Sequence, residues 1–155
     1  MNVDSATLLF FDASCLIAAA ASPNGGSGFL WSLCVRGMLT AAVSQPVLVE
    51  TEANLLAKFP AHVPARHRIQ FAGGLPLLAP VPRLDVHPRR YPTINSKDEH
   101  VIAAAPAISA DHILTLDRPL ADEINGANLA ARALTPGEFI KTGLPAHPAF
   151  ARLRD

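Results

Sequence analysis

Leu8-Leu9-Phe10-Phe11-Asp12 is a short, continuously apolar run that an aspartate brings to a stop. Such a run is typical of a central parallel strand that is covered on both faces. A second apolar run, Ile113-Leu114-Thr115-Leu116, is also followed directly by an aspartate, Asp117. In open α/β sheets, ligands bind beyond the carboxyl ends of the strands, where the strand order reverses. If these two strands are neighbours, Asp12 and Asp117 face one crevice.

Strand and helix patterns alternate along the rest of the chain. The sequence predicts strands at residues 7–11, 39–43, 75–81, 112–116 and 129–134, the third of them at an edge. It predicts helices at 13–21, 29–37, 44–59 and 96–109, and a short last helix that begins at Pro136. This alternation indicates an α/β domain with a parallel sheet. Pro106 lies inside the fourth helix, so we expect that helix to break near Ala105.

Composition indicates one folded domain. Half of the 155 residues are apolar and 17% are charged, which excludes a disordered chain. We place the domain at residues 1–142 and a C-terminal tail at 143–155. Basic and acidic residues number 13 each, so bulk charge says nothing about a nucleic-acid partner. Cys15 and Cys34 show no metal-ligand spacing, and we expect two buried free thiols.

The apolar N-terminal stretch at residues 8–21 has the look of a signal peptide, but its flanks argue against one. No Lys or Arg precedes Arg36, Asp4 lies where a positive region should be, and Asp12 interrupts the apolar run. The stretch is also too short to span a bilayer. We therefore expect a cytoplasmic protein that does not engage a membrane.

Two further acids occur at helix starts. Glu50 lies early in the helix that follows Ser44, and Asp98 lies in the first turn of the helix that Ser96 caps. A single Asp after a strand is more often a plain helix cap, but four acids at strand and helix ends favour a shared site. Clustered carboxylates take up protons or bind a hard divalent cation, and oxygen ligands alone favour Mg²⁺ or Mn²⁺ over zinc.

Several pieces of the chain resemble the PIN-domain nucleases, in particular the toxin-like members found in bacterial toxin–antitoxin pairs. These pieces are Phe10-Phe11-Asp12-Ala13-Ser14, Glu50 six residues after Ser44, Asp98-Glu99 before an Ala-rich helix, Ala110-Asp111-His112-Ile113-Leu114-Thr115-Leu116-Asp117, and Thr135-Pro136-Gly137-Glu138-Phe139. The resemblance runs from about residue 8 to residue 141 and so covers most of the chain.

The resemblance implies a three-layer α/β/α sandwich around a central parallel sheet of about five strands. It also implies a Mg²⁺- or Mn²⁺-dependent ribonuclease with an acidic quartet, Asp12, Glu50, Asp98 and Asp117. Ser14 and Thr115 match the hydroxyls that orient the first and last acids. The expected partners are an RNA substrate, a second copy of the chain in a homodimer and, for a toxin, an antitoxin protein.

The choice between Glu50 and Glu52 stays open, because two residues on a helix differ by about 200° in direction. The spacing from Ser44 favours Glu50. The apolar residues of this helix centre their face close to Glu52 instead; they are Leu48, Leu55, Leu56 and Phe59. Of the two we select Glu50.

The chain from Lys58 to Lys97 is basic, with seven basic residues against one acid. Within it we assign four arginines to the substrate backbone: Arg66, Arg68, Arg89 and Arg90. A solvated, proline-rich excursion explains this segment equally well.

Two alternative functions stay open. One is a PIN-like module that binds RNA or protein without catalysis. The other is an aspartate-nucleophile phosphatase, although that chemistry requires an acid at the position of Ser14.

Overall fold

The computed structural model describes residues 2–59, 77–79 and 99–153, and it describes residues 77–79 and 99 by their backbone alone. The strands are β1 (Leu8–Phe11), β2 (Thr40–Ser44), β3 (Leu77–Ala79), β4 (His112–Leu114) and β5 (Arg132–Leu134). The helices are α1 (Ala13–Ala21), α2 (Gly26–Val35), α3 (Gln45–Lys58), α4 (Glu99–Ala107), α5 (Arg118–Gly126) and α6 (Pro136–Thr142). Two short 3₁₀ turns follow at Leu144–Ala146 and Phe150–Arg152.

The strands of the described residues form one parallel sheet in the order β3-β2-β1-β4-β5. This confirms the predicted α/β class, the parallel sheet and the edge position of β3. β1 and β4 are neighbours, with Phe10 in register with Ile113, so the condition for a shared crevice is met. The chain builds outward from β1 to β3 and then returns to the other side of β1. The strand order therefore reverses between β1 and β4.

Helices cover both faces of this sheet, as the three-layer prediction requires. Phe11 of β1 meets Trp31 of α2 edge to face, with ring centroids 5.2 Å apart. His112 of β4, on the same face, lies 5.4 Å from the Phe139 ring of α6. The connections from β1 to β2 and from β2 to β3 run in one direction across the sheet. The connections from β3 to β4 and from β4 to β5 run in the opposite direction. Right-handed crossovers therefore place α4 and α5 on the other face.

Four helices begin on a side chain that follows a strand or a strand-end turn. In each case the side chain of the cap residue accepts a hydrogen bond from the backbone N–H three residues later. These cap residues are Asp12, Ser44, Asp117 and Thr135. Each cap satisfies a backbone donor that has no partner within the helix and stabilises it by about 1 kcal/mol. The prediction of a cap at Ser44 and of a helix start at Pro136 is confirmed.

The structure corrects the predicted course of two helices. α2 begins at Gly26 rather than at residue 29. Gly25 is its N-cap residue, so residues 26–28 belong to the helix and not to the preceding loop. α4 does not break near Ala105 but continues through Pro106 to Ala107. Pro106 is the last residue but one of the helix, so the bond that its missing N–H cannot make lies in the final turn and no further turn depends on it. The chain then leaves through Ser109 at φ 56°, and the Ala110 amide donates to the Ala105 carbonyl at 3.0 Å.

The β5 edge of the sheet is closed by a side chain. The Ala133 amide donates to Asn125 Oδ1 at 2.8 Å, and Asn125 Nδ2 donates to the Ala133 carbonyl at 3.0 Å. The amide group of Asn125 thus makes the pair of bonds that a further strand would make at this residue. Blocking of this kind protects an edge strand from pairing with another chain.

The segment assigned as a tail, residues 143–155, packs on the domain as far as it is described. Leu144 and Leu153 are buried. His147 is also buried, with Nε2 2.7 Å from the Met38 carbonyl and Nδ1 accepting from the Ala149 amide. The boundary at residue 142 stays a prediction.

Both cysteines are free, as predicted; Cys15 is buried and Cys34 partly buried. Burial raises the pKa of the Cys34 thiol to about 12. Among the described ranges, none of the helices combines the length and the apolar character that a bilayer crossing requires.

Gly28 fixes the approach of α2 to the preceding loop. A Cβ atom at this position would lie 2.2 Å from the Pro23 carbonyl oxygen, far inside van der Waals contact. We expect Gly28→Ala to lower the free energy of unfolding by about 1–3 kcal/mol, since backbone must move to admit the methyl group. Urea denaturation followed by circular dichroism measures this loss.

Gly126→Ala is the matched control, because no heavy atom lies within 4 Å of the corresponding Cβ position. The same Gly-to-Ala change there should leave stability unchanged or raise it by about 0.4–1 kcal/mol. Equal stability of the two variants would show that the Pro23 contact does not constrain α2.

Candidate active site at the carboxyl edge of the sheet

Asp12 lies at the point where the strand order reverses, directly after β1, and only 4% of its surface is exposed. Three donors hold its carboxylate. Oδ1 accepts from the Ser14 hydroxyl at 2.6 Å and from the Cys15 amide at 3.1 Å. Oδ2 accepts from the Thr115 hydroxyl of the neighbouring strand end. Ser14 thus contacts the first acid, whereas the Thr115 hydroxyl, which the resemblance assigns to the last acid, donates to Asp12 and meets Asp117 only at its backbone amide.

This arrangement leaves Asp12 with limited capacity for a further ligand. An ionised carboxylate has about four lone-pair sites, two on each oxygen. Both sites on Oδ1 are occupied, and one of the two on Oδ2 is occupied. These three bonds leave one lone pair on Oδ2 without a hydroxyl or amide donor.

The surroundings of Asp12 disfavour a negative charge on its carboxyl group. Burial raises the pKa of its carboxyl above the ordinary value of 3.8, because water no longer stabilises the charge. The hydrogen bonds from Ser14, Thr115 and Cys15 oppose this rise, and the negative charge of Glu50 adds to it. The ionised form that accepts all three bonds is thus disfavoured by its surroundings, and a nearby positive charge would stabilise it.

The same pKa shift distinguishes the two glutamates of α3. Glu50 is close enough for its charge to raise the pKa of Asp12, and Glu52 is not among the main causes of that rise. Both side chains are exposed. The buried residues of this helix are Val47, Thr51 and Leu55, so its inward face differs from the apolar set that pointed to Glu52. The electrostatic coupling supports Glu50 as the acid that belongs with Asp12.

Ser14 and Thr115 also connect Asp12 to the turn that carries Asp117. The Ser14 hydroxyl accepts from the Leu116 amide at 2.9 Å, and the Thr115 hydroxyl accepts from the Asp117 amide at 3.1 Å. Each hydroxyl therefore donates one hydrogen bond to Asp12 and accepts one from a backbone amide. These bonds fix the end of β4 against the end of β1.

Asp117 is exposed, and its Oδ1 accepts from the Leu120 amide as the cap of α5. Asp98, the fourth predicted acid, lies outside the described residues. Within residues 2–59 and 99–153, no group of three or more His, Cys, Asp or Glu side chains is arranged to hold a metal ion. The four arginines assigned to the substrate, Arg66, Arg68, Arg89 and Arg90, also lie outside the described residues.

Glu138 is a residue near this edge that the sequence reasoning did not assign. Its carboxylate lies 3.4 Å from the guanidinium of Arg118, the residue after Asp117, and it also accepts from the Thr135 hydroxyl at 3.2 Å. Both partners of the ion pair are substantially exposed, so the pair adds little to stability. The signal available in the sequence was the capping box that begins at Thr135.

Comparisons with known proteins agree on the fold. A protein-family model for the PIN domain matches residues 9–119, a range that contains Asp12 and Asp117. The crystal structure of PAE2754 from Pyrobaculum aerophilum is similar to this chain with a TM-score of 0.59 and 17% sequence identity. That match covers 97% of this chain and 90% of the other. No curated protein matches the chain. At this identity the structural likeness shows the fold alone.

Proposed function

This chain belongs to the PIN-domain family, and from that premise we propose that it is a Mg²⁺- or Mn²⁺-dependent endoribonuclease. The observation that carries the proposal is Asp12, a buried carboxyl group oriented by three hydrogen-bond donors at the reversal of strand order. A residue that served only as a helix cap would need the Cys15 bond alone. The bonds from Ser14 and Thr115 orient the carboxylate for a further ligand.

The donor set suits a hard divalent cation. Asp12 keeps one lone pair on Oδ2, and the charge of Glu50 raises its pKa, so a cation would relieve both burial and repulsion. The residues that we assign to hold it are Asp12, Glu50, Asp98 and Asp117. The chemistry that Mg²⁺ or Mn²⁺ supplies in such a site is a more acidic bound water and compensation of charge on the phosphate.

The chain's own groups prepare this site before any ligand arrives. Ser14 and Thr115 hold the Asp12 carboxylate in one orientation, and the Cys15 amide stabilises its charge. Asp117 and Glu50 are exposed, so they can reach a polymer that lies across the edge of the sheet. Residues fixed in this way lose little freedom when a ligand binds, which favours affinity.

The remaining parts of the proposal concern partners and location. We propose that Arg66, Arg68, Arg89 and Arg90 hold the RNA backbone, since Lys and Arg supply most sequence-independent affinity for phosphates. The toxin role with an antitoxin partner, the homodimer and the cytoplasmic location are proposed on the sequence grounds given above.

The phosphatase alternative is disfavoured by the contacts of Asp12. The position two residues later is Ser14, whose hydroxyl donates to Asp12 instead of serving as a second acid. The non-catalytic alternative is decided by the cleavage assay below.

Replacing the two glutamates of α3 one at a time tests the proposed function. We expect the wild type to cleave a labelled single-stranded RNA with Mn²⁺ and to stop when EDTA is added. Glu50→Gln should lower this cleavage by about 100-fold or more, since even groups that only support metal ligands account for about 10–100-fold. The rate is measured at several Mn²⁺ concentrations.

Glu52→Gln is the matched control, because it makes the same change at another exposed position of the same helix, two residues away. It should retain nearly wild-type cleavage. A larger loss in Glu52→Gln than in Glu50→Gln would exchange the roles of the two residues. A wild type that binds RNA but does not cleave it with any divalent cation would leave the non-catalytic module as the function.

A further inference from the structure

A groove of about 370 Å³ lies along the β5 edge of the sheet, beside the site described above. Its wall includes Leu134, whose carbonyl accepts from the Thr115 amide at 3.1 Å. It also includes Glu138, which pairs with Arg118 next to Asp117. One end of the groove, at Leu134, therefore lies on the strand next to the Thr115 hydroxyl that holds Asp12, whereas His112 and Arg132, the first residues of β4 and β5, line its other end. Its volume falls within the range of small-ligand sites, about 300–1,000 Å³.

His112 contributes a ring to this groove with no hydrogen-bond partner in the described part of the chain. Its Nδ1 is buried and has no hydrogen-bond partner, whereas Nε2 is not among the buried unpaired atoms. Burial lowers the pKa of the imidazole, and Asp111 only partly opposes this, so the ring favours the neutral form. A sealed N–H without an acceptor is rarer in proteins than an unpaired acceptor. The proton is therefore assigned to Nε2, which can donate into the groove.

Arg132 stands on the same wall. It is in register with His112 on the neighbouring strand, so both side chains emerge on the same face of the sheet. Its guanidinium is exposed and, among the described residues, has no ion-pair or hydrogen-bond partner. An exposed guanidinium next to a ring N–H can hold a phosphate and a base of one nucleotide together.

We propose that this groove binds a nucleotide that flanks the scissile phosphate, with Arg132 on its phosphate and His112 Nε2–H on the exocyclic oxygen of its base. The proposal rests on the proposed ribonuclease function and adds a base-selective subsite to it. Guanine O6 and uracil O4 are acceptors, whereas adenine and cytosine present amino groups at the matching positions. The groove therefore favours guanine or uracil.

The first test compares His112→Phe with the wild type on RNAs that differ only in the base beside the cleaved bond. Phe keeps a ring against Phe139 and removes only the nitrogens. The wild type should cleave the guanine or uracil substrates about 5–10-fold faster at low substrate, a discrimination that one hydrogen bond supplies. His112→Phe should cleave all four alike. Unchanged preference in the variant would overturn the proposal.

The second test uses Arg132→Gln against Lys141→Gln, a change at another exposed cation, on α6. Arg132→Gln should raise KM and flatten the log–log salt dependence of binding by about 0.7, the value for one phosphate on a single strand. kcat at saturating RNA should stay unchanged. Equal salt slopes in the two variants would remove Arg132 from the subsite.

A third measurement does not depend on cleavage. Guanosine monophosphate and adenosine monophosphate are titrated separately into the metal-free wild type while its nuclear magnetic resonance spectrum is recorded. Resonances of the groove should shift more with the guanosine nucleotide, and they should not shift in Arg132→Gln. Equal response to both nucleotides would overturn the subsite even if the protein cleaves RNA. Selective response without RNA cleavage would support the subsite and contradict the ribonuclease.

Discussion

Asp12→Asn is expected to abolish metal-dependent RNA cleavage, with a loss of at least about 10²–10³-fold in kcat, the range for removing one group that stabilises transition-state charge. The variant keeps the size of the side chain and an oxygen that can accept from Ser14 and Cys15. It removes the negative charge and the free lone pair of Oδ2. Calorimetric titration with Mn²⁺ should show a site in the wild type that the variant weakens strongly.

Stability of the metal-free protein separates loss of function from loss of fold. The folded pKa of Asp12 is raised above its ordinary value of 3.8, so its contribution to stability is present at low pH. It is lost as pH rises through the folded pKa, because the fold then contains a disfavoured charge. At neutral pH, Asp12→Asn should therefore unfold at a urea concentration no lower than the wild type. Equal Mn²⁺ binding by the two proteins would contradict the assignment of Asp12.

Thr115→Val is the second change with a large expected effect. Val matches the shape of Thr but removes the hydroxyl that donates to Asp12 and accepts from the Asp117 amide. Thr115 is fully buried, so water does not replace the lost bonds. We expect Mn²⁺ affinity to fall about 10–100-fold, as when other groups that orient metal ligands are removed. Isothermal titration and the cleavage rate at limiting Mn²⁺ measure the effect.

Thr51→Val supplies the control for this change. Thr51 is equally buried, but its hydroxyl donates to the Val47 carbonyl within α3 rather than to Asp12. It should lower stability without changing Mn²⁺ affinity. If both variants lost metal affinity to the same extent, the effect of Thr115 would be general loosening of the fold rather than orientation of Asp12.

Local signals in the sequence were enough to predict the elements that carry the site. A run of apolar residues between polar ones marks β1, because a central strand is covered on both faces. Ser44 and Pro136 mark helix starts, because caps act over three residues along the chain. The position of Asp12 after β1 followed from the same local pattern.

Local signals failed where an exposed apolar side chain imitated a buried one. The apolar pattern predicts that Leu56 and Phe59 lie on the inward face of α3, but they are 49% and 40% exposed. The residues that are buried there include Thr51, a polar residue that satisfies its hydroxyl within the helix. The direction of the inward face that the apolar pattern predicts for α3 is therefore wrong, whereas the spacing from Ser44 independently favours Glu50.

Contacts between distant parts of the chain required the folded structure. Thr115 and Asp12 are 103 residues apart in sequence, and they meet because β1 and β4 pair in parallel. Strand order is set by which apolar faces can be covered together, and no short segment encodes it. The groove at Arg132 and His112 has the same origin, since its walls come from two strands and two helices that assemble only on folding. Residue types and helix caps are local properties, whereas the neighbours and the electrostatic surroundings of Asp12 arise from packing across the sheet.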